Sequence, residues 1–386
     1  MTIVIFLIIL AVLILSHEFG HFLVAKFFGI RVDEFGFGFP PRILSLKNGE
    51  TVYSINLLPL GGFVKIFGED PIIEVLDKNH KDADRSLYRK PRYIQAAVVV
   101  AGVFFNLILA WLAMSFGFMA GLPLPEGFST FGPDSATSKL LVTEVLPASP
   151  AQIAGLKPGE NLVYLATKDS SVQNLSSGSV QRFIVAHGSE QIFVGYKEPI
   201  DSGLLVGIGM GPLDYRAETK VAIVTPKRGV VGDRPGIGIS MDSVGIVKLP
   251  FFEAFHAGLL AVYSLFTSTA SGLFRFILGF FVGTSLSASV SGPIGLIGVV
   301  GDAARFGIGY LLALTALIST NLAVLNLVPF PALDGGRLLF LLIESIIRRP
   351  LHPKIVNALN IAGFLFLLGL MMWVTYGDIR SLIKPI

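Results

Sequence analysis

The chain contains no cysteine. That absence excludes a disulfide scaffold, a thiolate-ligated zinc site and a cysteine nucleophile, and it leaves the compartment open. Charge is scarce as well. Asp, Glu, Lys and Arg make up 15% of the 386 residues, against about 25% in an ordinary soluble domain. The net charge is only +3, and no basic stripe with interleaved aromatics is present, so nucleic acid is not an expected partner. Disorder is excluded because 52% of the chain is apolar. What fills the space instead is long hydrophobic runs, with 31 Phe and 42 Gly among them. Most of this chain is expected in lipid.

Three runs are long and charge-free enough to cross a bilayer, which takes about 20 apolar residues: Ile94–Gly121, Phe306–Leu333 and Ile355–Gly377. A fourth, Thr2–Phe28, carries His17, Glu18, His21 and Lys26. It is read as a membrane helix and not a signal peptide. No basic stretch precedes Ile3–Leu15, and a His-Glu pair stands where small residues would mark a cleavage site. Arg85, Arg89, Lys90 and Arg92 precede the second span, and Arg348, Arg349 and Lys354 separate the last two. These basic ends predict a cytoplasmic side for 29–92 and 348–354. Residues 126–248 hold 11 basic and 12 acidic residues and are placed outside with both termini. Phe251–Val282 is apolar too, but contains Glu253, His256 and Arg275. It is expected to be interfacial or re-entrant, because a full crossing followed by a reversed helix would carry Asp334 away from the N-terminal histidines.

Residues 126–248 have soluble composition. Short β-prone runs (Leu140–Val145, Ile192–Tyr196, Lys220–Val224, Gly236–Met241) alternate with Gly/Pro/Ser turns, and Ser179–Ala186 reads as a helix. A small, partly open barrel is expected. Glu50–Asp70 shows two β-prone runs around Pro59-Leu60-Gly61-Gly62, a hairpin signal. Its edge could add a strand from an unfolded substrate, or the hairpin could be purely structural.

The strongest chemical signal is His17-Glu18-Phe19-Gly20-His21. Residues four apart share a helix face, so both imidazoles can reach one metal ion, with Glu18 one residue round and able to reach water beside it. Three polar residues inside an apolar helix are costly unless paired or metal-bound; a proton relay is the alternative. A catalytic zinc takes three protein ligands. Asp334 is the candidate third, at the end of Asn326-Leu-Val-Pro-Phe-Pro-Ala-Leu-Asp334-Gly-Gly336, where Pro329 and Pro331 break the helix. Capping of the following helix is the competing role for Asp334. His17 lies about 21 Å along its helix from Ile3 at 1.5 Å per residue, a depth that a descending span ending at Asp334 matches. His80, His187, His256 and His352 have no partner at ligand spacing and are not expected to bind metal.

These segments together resemble the site-2 protease family of intramembrane zinc metalloproteases, of the bacterial regulator-of-sigma-factor type. The resemblance rests on HEFGH at 17–21, NLVPFPALDGG at 326–336 and GGFVKIFGE at 61–69. Gly102-Val-Phe-Phe-Asn106 and Ser291-Gly292-Pro293-Ile294-Gly295 support it. It implies an α-helical polytopic membrane protein of about four transmembrane helices, with a membrane-associated β-hairpin and an extracytoplasmic PDZ-like α+β domain. The implied division is 1–125 (first core half), 126–248 (PDZ-like), 249–305 (interfacial or re-entrant linker) and 306–386 (second core half). Zn2+ would be held by His17, His21 and Asp334, with Glu18 as base. Asn326 would hold the substrate backbone, and Gly61, Gly62, Phe63 and Val64 would pair with it. Pro329, Pro331 and Asn106 are further candidates for substrate contact, Asn106 either packing helices or lining the cavity. Expected partners are the lipid bilayer and single-span membrane proteins such as anti-sigma factors or remnant signal peptides, in a bacterial inner (cytoplasmic) membrane. The PDZ-like motif at Leu146–Leu162 lacks the usual Val-Asn-Gly, showing Ala166-Thr167-Lys168, and a Gly-rich stretch follows at 203–213. Peptide capture and steric filtering of bulky substrates both remain open readings. An ion-coupled transporter would need inverted repeats, and none is seen. A silent scaffold should lack one of the four metal-site residues.

Overall fold

The computed structural model describes residues 1–69, 82–125, 139–173, 175–198, 218–231, 234–282, 292–305 and 307–383. Ser291, His80 and the Gly-rich stretch at 203–213 lie outside them. Five described helices are long and apolar enough to cross a membrane, which fits a polytopic membrane protein. They are α1 (Thr2–Phe27), α2 (Arg92–Ala120), α5 (Phe251–Val282), α7 (Ile308–Asn326) and α9 (Pro353–Ile383). The remaining helices are α3 (Pro150–Ile153), α4 (Ser177–Ala186), α6 (Pro293–Arg305) and α8 (Asp334–Ile347).

α2 is the hub. On one side it packs antiparallel to α1, so closely that a Cβ on Gly20 would collide with the carbonyl of Ala101. On another it packs antiparallel to α7, with Gly117 and Gly309 face to face at one end and Ser319 Oγ donating to Asn106 O (2.7 Å) further along. α5 lies on a third side. Its Ala254, Ala257 and Ala261 seat against Ala110, Ala113 and Met114 of α2, and Trp111 Nε1 donates to Phe255 O (2.9 Å). Small residues allow these close approaches where lipid offers no hydrophobic drive between helices.

Phe251–Val282 is one uninterrupted helix, so the bundle has one more candidate span than the sequence expectation of about four. α5 and α7 both run antiparallel to α2, hence parallel to each other, and Thr269 Oγ1 donates to Asn321 Oδ1 (2.8 Å) between them. The expected conflict between a long α5 and the position of Asp334 therefore does not arise. The chain regains its starting level before α7: Gly301 of α6 lies against Thr2, and Val300 and Ala303 share a buried cluster with Ile5, Leu311 and Leu314.

β1 (Val32–Asn48) and β2 (Thr51–Ile66) form one long antiparallel hairpin, from Asn48 opposite Thr51 to Val32 opposite Ile66. Its turn is Gly49-Glu50, with Gly49 at φ +63°, and not Pro59–Gly62 as the sequence suggested. Pro59-Leu60-Gly61-Gly62 and Phe39-Pro40-Pro41 instead form a crease. Prolines lack the N–H a ladder requires, so pairing fails there and the hairpin folds back. Glu34–Phe37 then pair on one side with Val52–Ile55 and on the other with Gly62–Lys65. Four runs result, in the order 42–48, 51–58, 32–37, 62–66. Among the described residues 62–66 pairs only with 32–37, and one face of it rests on α1: a Cβ on Gly62 would meet Ile14 and Glu18. An ion network pins the turn. Glu50 accepts from Lys26 Nζ (2.5 Å) and from Arg85 Nη1 (2.6 Å) and Nη2 (2.7 Å), and these partners, Arg85 foremost, hold its carboxyl down to about 2.

The third unit is a seven-stranded sheet. It comprises β3 (Leu122–Pro125), β4 (Lys139–Val145), β5 (Asn161–Ala166), β6 (Ser171–Val172), β7 (Ile192–Lys197), β8 (Lys220–Val224) and, later in the chain, β11 (Ile239–Val247). Their order is β3-β11-β4-β5-β7-β8, with β6 beside β5. β9 (Lys227–Val231) and β10 (Arg234–Gly236) make a separate ladder. Alternating residues such as Leu140, Val142, Leu165, Val194 and Val224 bury one face against Val180 and Ile184 of α4. β3 follows α2 directly and β11 runs into α5, with Leu249 N donating to Phe118 O (3.1 Å), so the sheet is rooted on the bundle.

Candidate metal centre

A stripe of three residues spaced four apart on α2 builds the receptor for the two histidines. Val98 O accepts from His21 Nδ1 (2.8 Å), Gly102 sits beneath both rings, and the Asn106 amide lies 3.3 Å from His17 Nδ1. A Cβ on Gly102 would collide with His21 Nε2 and press on Cε1 of both rings. The rings stand edge to face, centroids 4.8 Å apart, and their Nε2 atoms converge to 3.3 Å.

Asp334 arrives from the other half of the chain. α7 ends at Asn326, Pro329 and Pro331 forbid its continuation, and Ala332 turns the chain at φ +73°. Gly335 and Gly336 then press against the backbone of 327–330, where any side chain would collide. This seats Asp334 Oδ2 3.1 Å from His17 Nε2 and 3.5 Å from His21 Nε2. One ligand atom from each of the three residues lies within 4.8 Å of the others. Oδ2 is buried with no hydrogen-bond partner. Two imidazole nitrogens and a carboxylate oxygen aimed at one point repel one another unless a shared proton or a metal cation joins them, and nitrogen and oxygen donors in this number suit zinc. The donor set fits the metal.

Glu18, Asn326, Gly62, Phe63 and Val64 line the same cavity of about 320 Å³. A second space of about 1040 Å³ adjoins it between the end of β2, α8 and α9, and the two share Glu69, Asp334 and Arg337. Glu69 is ion-paired with Arg337, one turn after Asp334. The structure thus gathers His17, Glu18, His21, Asp334, Asn326, Gly62, Phe63 and Val64 into one place. Asn106 is fully buried behind His17. Gly61 lies in the crease, against the ring of Phe39. Pro331 packs on Gly363 of α9, and the Phe330 ring lies 5.6 Å from that of Phe366, so the Pro329–Pro331 segment shapes the turn that delivers Asp334. Sequence reasoning missed the Val98 carbonyl and the Arg337–Glu69 pair. The period-four stripe 98, 102, 106 was the available signal for the first.

The sequence profile of peptidase family M50 matches residues 5–370. A protein of Clostridium perfringens, provisionally named a zinc metalloprotease, is 32% identical over 380 residues, covering 98% of both chains. A Nostoc protein with the same provisional name is 32% identical over 377 residues, covering 94% of this chain and 91% of its own. The zinc metalloprotease RasP of Geobacillus kaustophilus is 28% identical over 458 residues, covering 98% of both.

Proposed function

The chain belongs to peptidase family M50 and is a zinc metalloprotease of the site-2 type; from that premise we propose that it cuts single-span membrane proteins within or beside their membrane segment. One observation carries the reading. The three ligand residues, Glu18 and the open edge at 62–66 meet inside a bundle of apolar helices.

His17, His21 and Asp334 would hold the zinc. When bound, the metal supplies a Lewis acid that polarises a carbonyl and lowers the pKa of water to about 7. Glu18 takes a proton from water and returns it to the leaving amine. A helical substrate hides its carbonyls in its own hydrogen bonds, so it must unwind before cleavage. Pairing with Gly62–Ile66 holds it extended beside Glu18, and the Asn326 amide fixes its backbone on the opposite wall. The larger adjoining space receives the cleaved segment.

The sheet at 139–247 is read as a PDZ-like domain on the extracytoplasmic side, with the metal in the cytoplasmic half of a bacterial inner membrane. Ser149 capping α3, where its Oγ accepts from Gln152 N (3.2 Å), and the turn to β5 support the PDZ-like reading. Anti-sigma factors and remnant signal peptides are the expected substrate classes. The test is Glu18→Gln in detergent-solubilised protein with a single-span substrate. Cleavage should fall by at least about 10²–10⁴-fold while zinc stays bound; cleavage at the wild-type rate would end the proposal.

A further inference from the structure

We infer that Asn106 is a positioning residue for the metal. Its side-chain oxygen accepts a hydrogen from His17 Nδ1, fixing that ring in the tautomer whose Nε2 lone pair faces the site. The inference rests on the assignment of His17, His21 and Asp334 as ligands and adds a function for a residue outside that set.

The two histidines are served differently. His21 Nδ1 lies 2.8 Å from the carbonyl of Val98. A carbonyl only accepts, so Nδ1 carries the hydrogen and Nε2 is bare. The backbone alone settles that tautomer. His17 meets a side-chain amide instead, 3.3 Å from its Nδ1, and an amide can serve either tautomer through its NH2 or its oxygen. Nε2 of His17 points at Asp334 Oδ2 and at His21 Nε2, the direction a metal ligand must take. Its hydrogen therefore belongs on Nδ1, and only the amide oxygen can receive it.

The surroundings permit that orientation. The two ends of a carboxamide fill the same volume, and hydrogen bonding decides which one faces the ring. As placed, Nδ2 faces His17 Nδ1 and Oδ1 is buried with no partner; turning the amide over keeps its volume, gives the ring N–H an acceptor, and moves the unpartnered end from Oδ1 to Nδ2. Asn106 itself cannot drift. It is 0% exposed, and its own carbonyl accepts from Ser319 Oγ at 2.7 Å, which ties α2 to the helix that leads to Asp334. Metal-ligating histidines generally donate their second ring N–H to such a partner, and its loss costs about 10–100-fold in metal affinity.

The test uses the full chain in detergent, comparing wild type, Asn106→Leu (similar volume, no acceptor) and Asn106→Asp (acceptor kept). Zinc affinity is measured by competition with a chromophoric chelator. Asn106→Leu should bind zinc about 10–100-fold more weakly, and Asn106→Asp should stay within a few-fold of wild type. Nitrogen-15 spectra of the histidine rings in zinc-loaded protein at pH 8 should show His17 protonated on Nδ1 with the shift of a hydrogen-bonded N–H in wild type, and that shift lost in Asn106→Leu. Equal zinc affinity in Asn106→Leu and wild type, or equal loss in both variants, overturns the inference. If the leucine variant does not fold, the wild-type spectrum decides alone, and His17 protonated on Nε2 refutes it. Zinc binding that survives the His17→Ala/His21→Ala double substitution would instead overturn the ligand assignment underneath.

Discussion

Gly102 shows how little material separates a metal site from a packing defect. Alanine at this position gains helix propensity, up to about 1 kcal/mol over glycine. Its methyl would occupy the space of His21 Nε2 and crowd both Cε1 atoms. Gly102→Ala is therefore expected to leave the metal-free thermal midpoint equal or lowered, since overpacking of about 1–3 kcal/mol offsets the propensity gain, while zinc affinity drops about 10-fold or more. Calorimetry together with chelator competition separates the two effects. Glu160 offers a contrast away from the bundle. It is 2% exposed, and burial pushes its carboxyl up to about 7, against a hydrogen bond from Lys157 N–H to its Oε2 (3.0 Å). A carboxyl raised on folding holds its proton longer in the native state, so its stabilising contribution is whole below about 4.5 and fades as pH rises through 7. Thermal melts should show stability declining over that window by on the order of 1–3 kcal/mol, and Glu160→Gln should flatten the decline.

Among the elements, α8 carries Asp334 on its first turn and is tied to the N-terminal half by two ion pairs, Arg337 to Glu69 and Arg92 to Glu344. Arg337 and Glu69 are each about one-third exposed (34% and 35%), which limits their pair to about 0.2–1 kcal/mol. A double-mutant cycle with Arg337→Glu and Glu69→Arg should give a coupling of that size, each single change costing stability and the swap recovering it. Elements also mark where sequence reading succeeds. HEFGH and the DGG turn were legible because helix periodicity and proline breaks are local properties, and β4, β7, β8 and α4 followed from equally local patterns. The hairpin turn was misplaced because Pro59–Gly62 has turn composition. Only the long-range pairing of Glu34–Phe37 with two partners makes it a crease. The relation of α5 to α7 was equally hidden, since helix direction is set by what packs on α2.

Over the whole molecule, a metal at His17, His21 and Asp334 would join α1 to α8. Binding of zinc to the native state alone stabilises it by about 2.7 kcal/mol at a free concentration one hundred times the dissociation constant. A chelator should therefore lower the thermal midpoint, added zinc should restore it, and His17→Ala should make the midpoint indifferent to both.

The distance along the chain between the ligands has a consequence for biosynthesis. Asp334, the carboxylate brought to His17 and His21, follows them by more than three hundred residues and is translated long after both rings. A metal held by these three groups would lack its third donor until the chain has been made as far as α8.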